Sequence, residues 1–356
     1  MIKNSTQTFS AVNFGCRVNA AETNQLSQQL IDQGFTIAPF GQRANAPDLI
    51  IVNTCAITKK GEYESISKIK KLIKDNPNLK IIATGCANLD KLKNIKNVTI
   101  LKNIDKDKIS KSYSPEISDK FSHTHRYLLK VQSGCTQNCT FCIVPSRRPS
   151  LNFLSIDKAV KTVNTAVNNG YTEVIITGVN LTQYLPGLSN LVEALLNQTK
   201  IKLISFGSVP LLCIDKKFLS LFSVYSSRLS TFLHIPLQSG SDKILKLMHR
   251  PYNVQKIKNI FLKRHSANAL SLGTDIIVGF PTETDTDYQQ TYNLCQKIGF
   301  SKIHVFKYSP RPGTIARELF LKSPKISKPE LTRRSSLLQK LSSPIDQFSP
   351  NSPQSD

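Results

Sequence analysis

Three cysteines, Cys135, Cys139 and Cys142, stand as Cys-x3-Cys-x2-Cys in the run SGCTQNCTFC. Three thiolates so spaced can hold three irons of a [4Fe–4S] cluster and leave the fourth open, whereas ferredoxins supply four cysteines per cubane. An open iron can chelate the amino and carboxylate groups of S-adenosylmethionine and pass it an electron. The competing reading is structural zinc, which wants a fourth Cys or His, commonly in a second closely spaced pair. His123 and His125 lie upstream and do not make that pattern.

Cys16, Cys55 and Cys86 are far apart in the chain but alike in setting. In NFGC, IVNTC and ATGC each directly follows a predicted strand. Strand C-termini line the ligand crevice of an open parallel sheet, so the three can converge at one edge. The alternative is three unrelated buried thiols. Gly15 and Gly85 would let the backbone bend close to a bulky group. Cys213 and Cys295 sit beside apolar residues and read as core thiols.

The elements that must position these residues fall into two regions. Phe9–Asn13, Leu49–Val52, Lys80–Thr84 and Val98–Leu101 read as strands, with helices over Ala21–Gln33 and Tyr63–Lys74. The pattern is an open, doubly wound parallel α/β sheet. Polar residues 102–122 read as a linker. Six further strands are predicted at Tyr127–Gln132, Glu173–Thr177, Lys202–Gly207, Thr231–Pro236, Leu272–Val278 and Lys302–Lys307. Helices are expected between them near 157–168, 188–198, 215–222, 241–248, 254–265 and 285–298. Six β/α units suit an incomplete barrel, because eight would need about 250 residues. The expected division is 1–112 for the sheet domain, 121–318 for the barrel, 319–341 for a basic helical segment and 342–356 for a Ser/Pro-rich disordered tail.

The 356 residues carry 47 Lys+Arg against 24 Asp+Glu, a formal charge of +23. That points to a polyanionic partner, although Lys usage alongside many Ile and Asn also follows from a biased genome composition. A hydrophobic content of 40 % excludes a wholly disordered chain. Met1 to Val12 lacks the apolar run of a secretory signal, and nothing approaches a membrane span. Eight cysteines are too sparse for a disulfide scaffold. A cytoplasmic protein with reduced cysteines and no membrane partner is expected.

In combination, GCRVNAAET, VNTCAIT, TGCANL, GCTQNCTFCIVP, EVIITGVNL, HIPLQSGSDKILKLMHR, TDIIVGFPTETDTDY and VFKYSPRPGT resemble the radical S-adenosylmethionine methylthiotransferases, from about Phe14 to Leu341. GCRVN is similar to the branch acting on N6-threonylcarbamoyladenosine next to the anticodon of tRNA. Other branches act on isopentenyl-adenosine tRNA or on a ribosomal protein aspartate. The resemblance implies that Cys135, Cys139 and Cys142 bind the radical-generating cluster. It implies that Cys16, Cys55 and Cys86 bind a second [4Fe–4S] cluster carrying a methylated sulfur. The substrate hydrogen would leave carbon 2 of the adenine, and two S-adenosylmethionine molecules would serve each product. An electron donor such as flavodoxin or ferredoxin, and a sulfur source, are implied as partners.

Lesser positions follow from the same motifs. Glu173, Gly178 and Asn180 are expected around the second barrel strand and its exit loop, near the cofactor. Gln238 and Ser239 leave the fourth strand, and Asp275 marks the fifth with Gly279. Such strand-end polar residues either contact ligand or cap a helix. Phe141 either shields the cluster or packs in the core, and helix capping is expected of Asn19 and Glu22. Arg311 is a candidate substrate contact. Two features depart from the family. The small RNA-binding β-barrel called TRAM is expected to be absent, leaving Arg333, Arg334 and surface lysines to meet phosphate. The stretch Ser146, Arg147, Arg148 and Pro149 suggests a reshaped loop beside the first triad. A drifted, non-catalytic Fe–S or zinc protein that binds RNA is the rival class.

Overall fold

A computed structural model describes residues 7–40, 47–110, 125–262 and 270–342, with the side chains of 107–110 excepted. The elements run β1 (Thr8–Asn13), α1 (Arg17–Asp32), β2 (Thr36–Ile37), β3 (Leu49–Thr54), α2 (Lys59–Asp75), β4 (Lys80–Gly85), β5 (Val98–Leu101) and α3 (Asn103–Ser110). There follow β6 (Arg126–Ser133), α4 (Val144–Arg147), β7 (Asn152–Phe153), α5 (Ile156–Asn168), β8 (Glu173–Gly178), α6 (Leu188–Gln198), β9 (Leu203–Phe206) and α7 (Lys216–Val224). The remainder is β10 (Phe232–His234), α8 (Asp242–Leu247), α9 (Val254–Phe261), β11 (Ser271–Val278), α10 (Asp285–Ile298), β12 (Lys302–Lys307), α11 (Ile315–Lys322) and α12 (Lys328–Lys340).

The chain divides into two compact units. The first holds 1–136, 143–172 and 177–179, and the second holds 137–142, 173–176 and 180–356. In the first, a five-stranded sheet has the order β2-β1-β3-β4-β5, and every pairing within it is parallel. All six residues of β3 are buried, as a central strand covered on both faces requires. Ile50, Val52, Ile81 and Ala83 pack toward Ile69 of α2, while Phe9, Leu49 and Ile51 pack toward Leu26 of α1. This is the doubly wound arrangement expected from the strand spacing. Sequence order reverses between β1 and β3, the switch point where such sheets build their ligand crevice.

One sequence expectation is corrected here. Residues 103–110 of the polar linker form α3, because Lys106 is buried against Glu22 rather than left in water. Asn152 and Phe153 add β7, antiparallel to β6, inside an otherwise parallel scheme. The first unit also includes β6, β7 and α5, so the division does not follow the linker. Helix α1 packs on β6 as well as on its own sheet. The rest of the expected linker, 111–122, and the tail from 343 lie outside the described residues, as do 263–265 of the helix expected at 254–265.

In the second unit β8 pairs with β9, and β10, β11 and β12 form a parallel sheet. The element order after residue 125 is that of six β/α units, with α4 and β7 inserted after β6, one extra helix before β11 and α12 at the end. Helix α10 starts in a capping box: Thr284 and Asp287 satisfy each other's backbone amides. Lys243 and the Thr284 amide outweigh burial and hold the Asp287 carboxyl down at about 2. Among the described residues, no helix is long and apolar enough to cross a membrane.

Candidate functional site: two cysteine groups at strand ends

Cys16 caps α1 after β1, Cys55 follows β3, and Cys86 follows β4. The register keeps these strand ends level, with Asn13 opposite Asn53 and Thr54 opposite Gly85. Three thiols thus sit at the carboxyl edge of adjacent strands, two of them flanking the switch point. Burial pushes the Cys55 thiol up; the Ile57 amide opposes that, while Cys86 and Cys16 add to it. The mutual effect means that the three groups feel one another.

Gly85 has φ +105°, and a Cβ there would lie 2.3 Å from the Thr54 carbonyl oxygen. Its freedom therefore serves the approach of β3. A Cβ on Gly15 would strike the Asn19 side chain. Asn19 and Glu22 are not caps: α1 begins at Arg17, and both are buried on its inner face. Asn19 Nδ2 donates to the Thr54 carbonyl, which ties α1 to the β3 edge.

Arg148 links these parts. Its Nε donates to Cys86 Sγ at 3.3 Å. One terminal nitrogen donates to Glu22 Oε1 at 2.6 Å and Ser133 Oγ at 3.2 Å. The other donates to Asn19 Oδ1 and Glu22 Oε2, both at 2.8 Å. Its carbonyl accepts from the Cys135 amide at 3.1 Å. Lys106 and Lys130 complete a buried group around Glu22. Burial alone would raise the Glu22 carboxyl, but Lys106, Arg148 and Lys130 hold it well below the usual carboxylate range. Lys106 shifts the other way for its charge, because burial outweighs its pairing with Glu22. The geometry, with 2.8 Å between Nζ and Oε2, is that of an ion pair.

The Cys-x3-Cys-x2-Cys loop starts two residues after β6. Its second half is pinned to the turn after α8. Thr140 donates to the Met248 and Leu247 carbonyls, and its own carbonyl accepts from Ala316 N–H. A guanidinium again meets a ligand sulfur: Arg250 donates to Cys139 Sγ at 3.3 Å and to the Tyr252 hydroxyl at 3.0 Å. Phe141 packs on the core of Ile244, Met248, Ile277, Phe280 and Ala316, the second of its two expected roles.

Comparison with known proteins shows the family of the chain. Residues 129–295 match the radical SAM superfamily, and residues 8–104 match an uncharacterized protein family, UPF0004. Threonylcarbamoyladenosine tRNA methylthiotransferase MtaB of Aquifex aeolicus is 32 % identical over 352 residues, covering 90 % of this chain and 84 % of that protein. The chain belongs to the radical S-adenosylmethionine methylthiotransferase family. A tRNA-2-methylthio-N(6)-dimethylallyladenosine synthase of Thermodesulfovibrio yellowstonii is 32 % identical, covering 86 % of this chain and 77 % of that one. The fold resembles the radical S-adenosylmethionine methyltransferase TsrM of Kitasatospora setae, with a TM-score of 0.60 at 10 % identity, over 88 % of this chain and 77 % of that chain.

The donor set fits the iron–sulfur groups of such methylthiotransferases better than zinc. One zinc ion with Zn–S bonds of about 2.3 Å would bring its thiolates to roughly 4 Å from one another. Cys16, Cys55 and Cys86 do not bring their three sulfurs within 4.8 Å. Among the described residues the one set of three that close is His234, Asp275 and His304, on adjacent strands β10, β11 and β12. Asp275 Oδ1 lies 2.9 Å from His234 Nε2 and 3.4 Å from His304 Nδ1. Hydrogen bonding accounts for this spacing. Burial and then His234 lower the His304 pKa, while Asp275 raises it. Neither histidine was singled out in the sequence, although His234 opens a quoted motif and His304 lies in the strand expected at Lys302–Lys307.

The remaining expected site residues divide. Gly178 ends β8 and Asn180 follows it, with Asn180 Nδ2 donating to Gln137 Oε1 on the cysteine loop at 3.0 Å. Glu173 opens β8 and stands at the opposite end of that strand, so it is not grouped with them. Gln238 adopts φ +72°, its backbone bonded to Asp275 and Ile277. Ser239 is buried against α10, where its hydroxyl meets Thr291 at 3.2 Å. Arg311 is buried. Arg334 is corrected as a phosphate contact: it is buried and paired with Glu283, Asp285 and Glu330. Arg333 is exposed but also held by Glu330. Burial pushes the thiols of half-buried Cys213 and buried Cys295 up to about 12, which keeps both protonated and unreactive.

Proposed function

We propose that this chain methylthiolates carbon 2 of N6-threonylcarbamoyladenosine next to the anticodon of tRNA. The observation that carries the reading is the pair of cysteine groups, each at strand C-termini and each with one sulfur held by a guanidinium. Relatives bearing the same activity in their names support it. Cys135, Cys139 and Cys142 would hold the cluster that engages S-adenosylmethionine, and Cys16, Cys55 and Cys86 a second [4Fe–4S] cluster. When bound, these groups supply the one-electron cleavage and the methylthio group that an unactivated aromatic C–H demands.

The protein's own residues position and shield. Arg250 and Arg148 fix one sulfur of each group with charge-assisted hydrogen bonds. Thr140 clamps the cysteine loop to the turn after α8. Asn180 and Gln137 brace the loop toward β8. Asp275, between His234 and His304, offers polar groups on the β10–β12 face. Exposed lysines of α2 and the +23 charge favour the tRNA phosphates. The reaction needs a one-electron donor such as flavodoxin or ferredoxin and a sulfur source, and places the enzyme in the cytoplasm with its tRNA.

The test is the nucleoside content of tRNA, read by mass, from a strain lacking the chain. The methylthio derivative of threonylcarbamoyladenosine is expected to disappear and its unmodified parent to accumulate. Loss of the dimethylallyl derivative instead would move the substrate to the other branch. No change in either would overturn the tRNA reading.

A further inference from the structure

Glu22 stands at the centre of a buried group of cations. Lys106, Lys130 and Arg148 are 3, 9 and 3 % exposed at their side chains, and Glu22 is 2 % exposed. All three cations meet this carboxylate out of water, and Arg148 extends the group to Cys86 Sγ.

Arg148 is also fully committed. A guanidinium has five N–H donors, and here they meet Cys86, Glu22 twice, Ser133 and Asn19. The planar fork cannot swing away from the sulfur without giving up the other bonds. Cys55, by contrast, accepts from the amides of Ala56 and Ile57, which are neutral donors. Among the described residues, Cys86 is the member of its triad held by a full positive charge.

We propose that Arg148, backed by Lys106 and Lys130, is a positioning residue that sets the reduction potential of the iron–sulfur group on Cys16, Cys55 and Cys86. A hydrogen bond and a buried positive field at a ligand sulfur favour the more electron-rich cluster. The half-reaction gains one electron from a low-potential one-electron donor, with no bond made or broken at Arg148. The electron's added negative charge is met by the Arg148 guanidinium at the Cys86 sulfur, so the reduced state is favoured. This inference rests on the second cluster of the proposed function.

The experiment uses the full chain carrying Cys135→Ala, Cys139→Ala and Cys142→Ala, reconstituted anaerobically so that only the second cluster is present. Its potential is read by redox titration with EPR detection, using dithionite as reductant. Arg148→Gln is expected to lower the reduced-to-oxidised ratio at fixed potential about tenfold, a shift of about 59 mV for one electron. Arg148→Lys keeps the charge and is expected to recover part of that shift. Lys130→Met, which touches no sulfur, is expected to shift the potential in the same direction by less. An iron-loaded Arg148→Gln with an unchanged potential overturns the proposal. If that variant takes up no iron, Lys130→Met decides, and an unchanged potential there overturns it. Absence of iron on the parent would instead refute the second cluster itself.

Discussion

Replacing Glu22 with Gln keeps the shape of the side chain and removes the carboxylate on which Lys106, Lys130 and Arg148 converge. Glu22 accepts from Lys106 at 2.8 Å, Lys130 at 3.3 Å and Arg148 at 2.6 and 2.8 Å. Breaking a buried ion pair by removing one partner costs about 3–5 kcal/mol, because the other charge stays buried and uncompensated. Lys106 limits the loss, since burial already pulls its pKa down and it can shed its proton. The lower end, about 3 kcal/mol, is therefore expected near neutral pH. With a urea slope of about 3 kcal/mol/M the unfolding midpoint falls by roughly 1 M. The assay is anaerobic urea unfolding followed by circular dichroism, with Lys106→Met and the double variant closing a cycle. The double variant should lose less than the sum of the singles. The sign with pH follows from the lowered Glu22 pKa. Its contribution is full above the ordinary carboxylate value of 4.5 and is lost as pH falls through the lower folded value. The gap between native and variant protein should therefore close in acid. A midpoint within 0.2 M of the parent, or an additive cycle, would refute the reasoning.

Gly85→Ala forces a Cβ to within 2.3 Å of the Thr54 carbonyl at a left-handed φ. A stability loss above about 1–3 kcal/mol, with iron missing from the first unit, is expected by denaturation and iron analysis. Arg334→Ala removes a buried cation between Glu283 and Glu330; it should destabilise by about 3 kcal/mol or more while leaving the salt dependence of tRNA binding unchanged. Asp275→Asn removes the one influence that raises His304, so its NMR titration should move to lower pH. An unchanged titration would show that the two do not interact, and an upward move would contradict the sign.

Strand ends were legible because each buried strand is a compact apolar run that stops at a polar residue. LIIVNT before Cys55 and IIATG before Cys86 place their thiols without any knowledge of pairing. The doubly wound order followed from the alternation of such runs with helical stretches. The electrostatic support was not legible, because Glu22 meets Lys106 and Arg148 from 84 and 126 residues away. One signal was present: Val18, Glu22 and Leu26 share an i, i+4 row, so a carboxylate stands on the apolar stripe of α1. Helix α3 was missed because what holds it is the same ion pair, not its own periodicity. Arg334 misled because a basic segment reads as surface until its buried acidic partners on the α10 side are known. Glu173 was grouped with Gly178 by sequence proximity, though the two stand at opposite ends of the six-residue β8.

The central claim is that two groups of three cysteines each hold a separate iron–sulfur cluster. Iron and sulfide analysis after anaerobic reconstitution tests it directly. The parent chain should bind about eight irons, and alanine at either cysteine triad should leave about four. Zinc in place of iron, or a parent that holds about four irons and keeps them when Cys16, Cys55 and Cys86 are replaced, would contradict it.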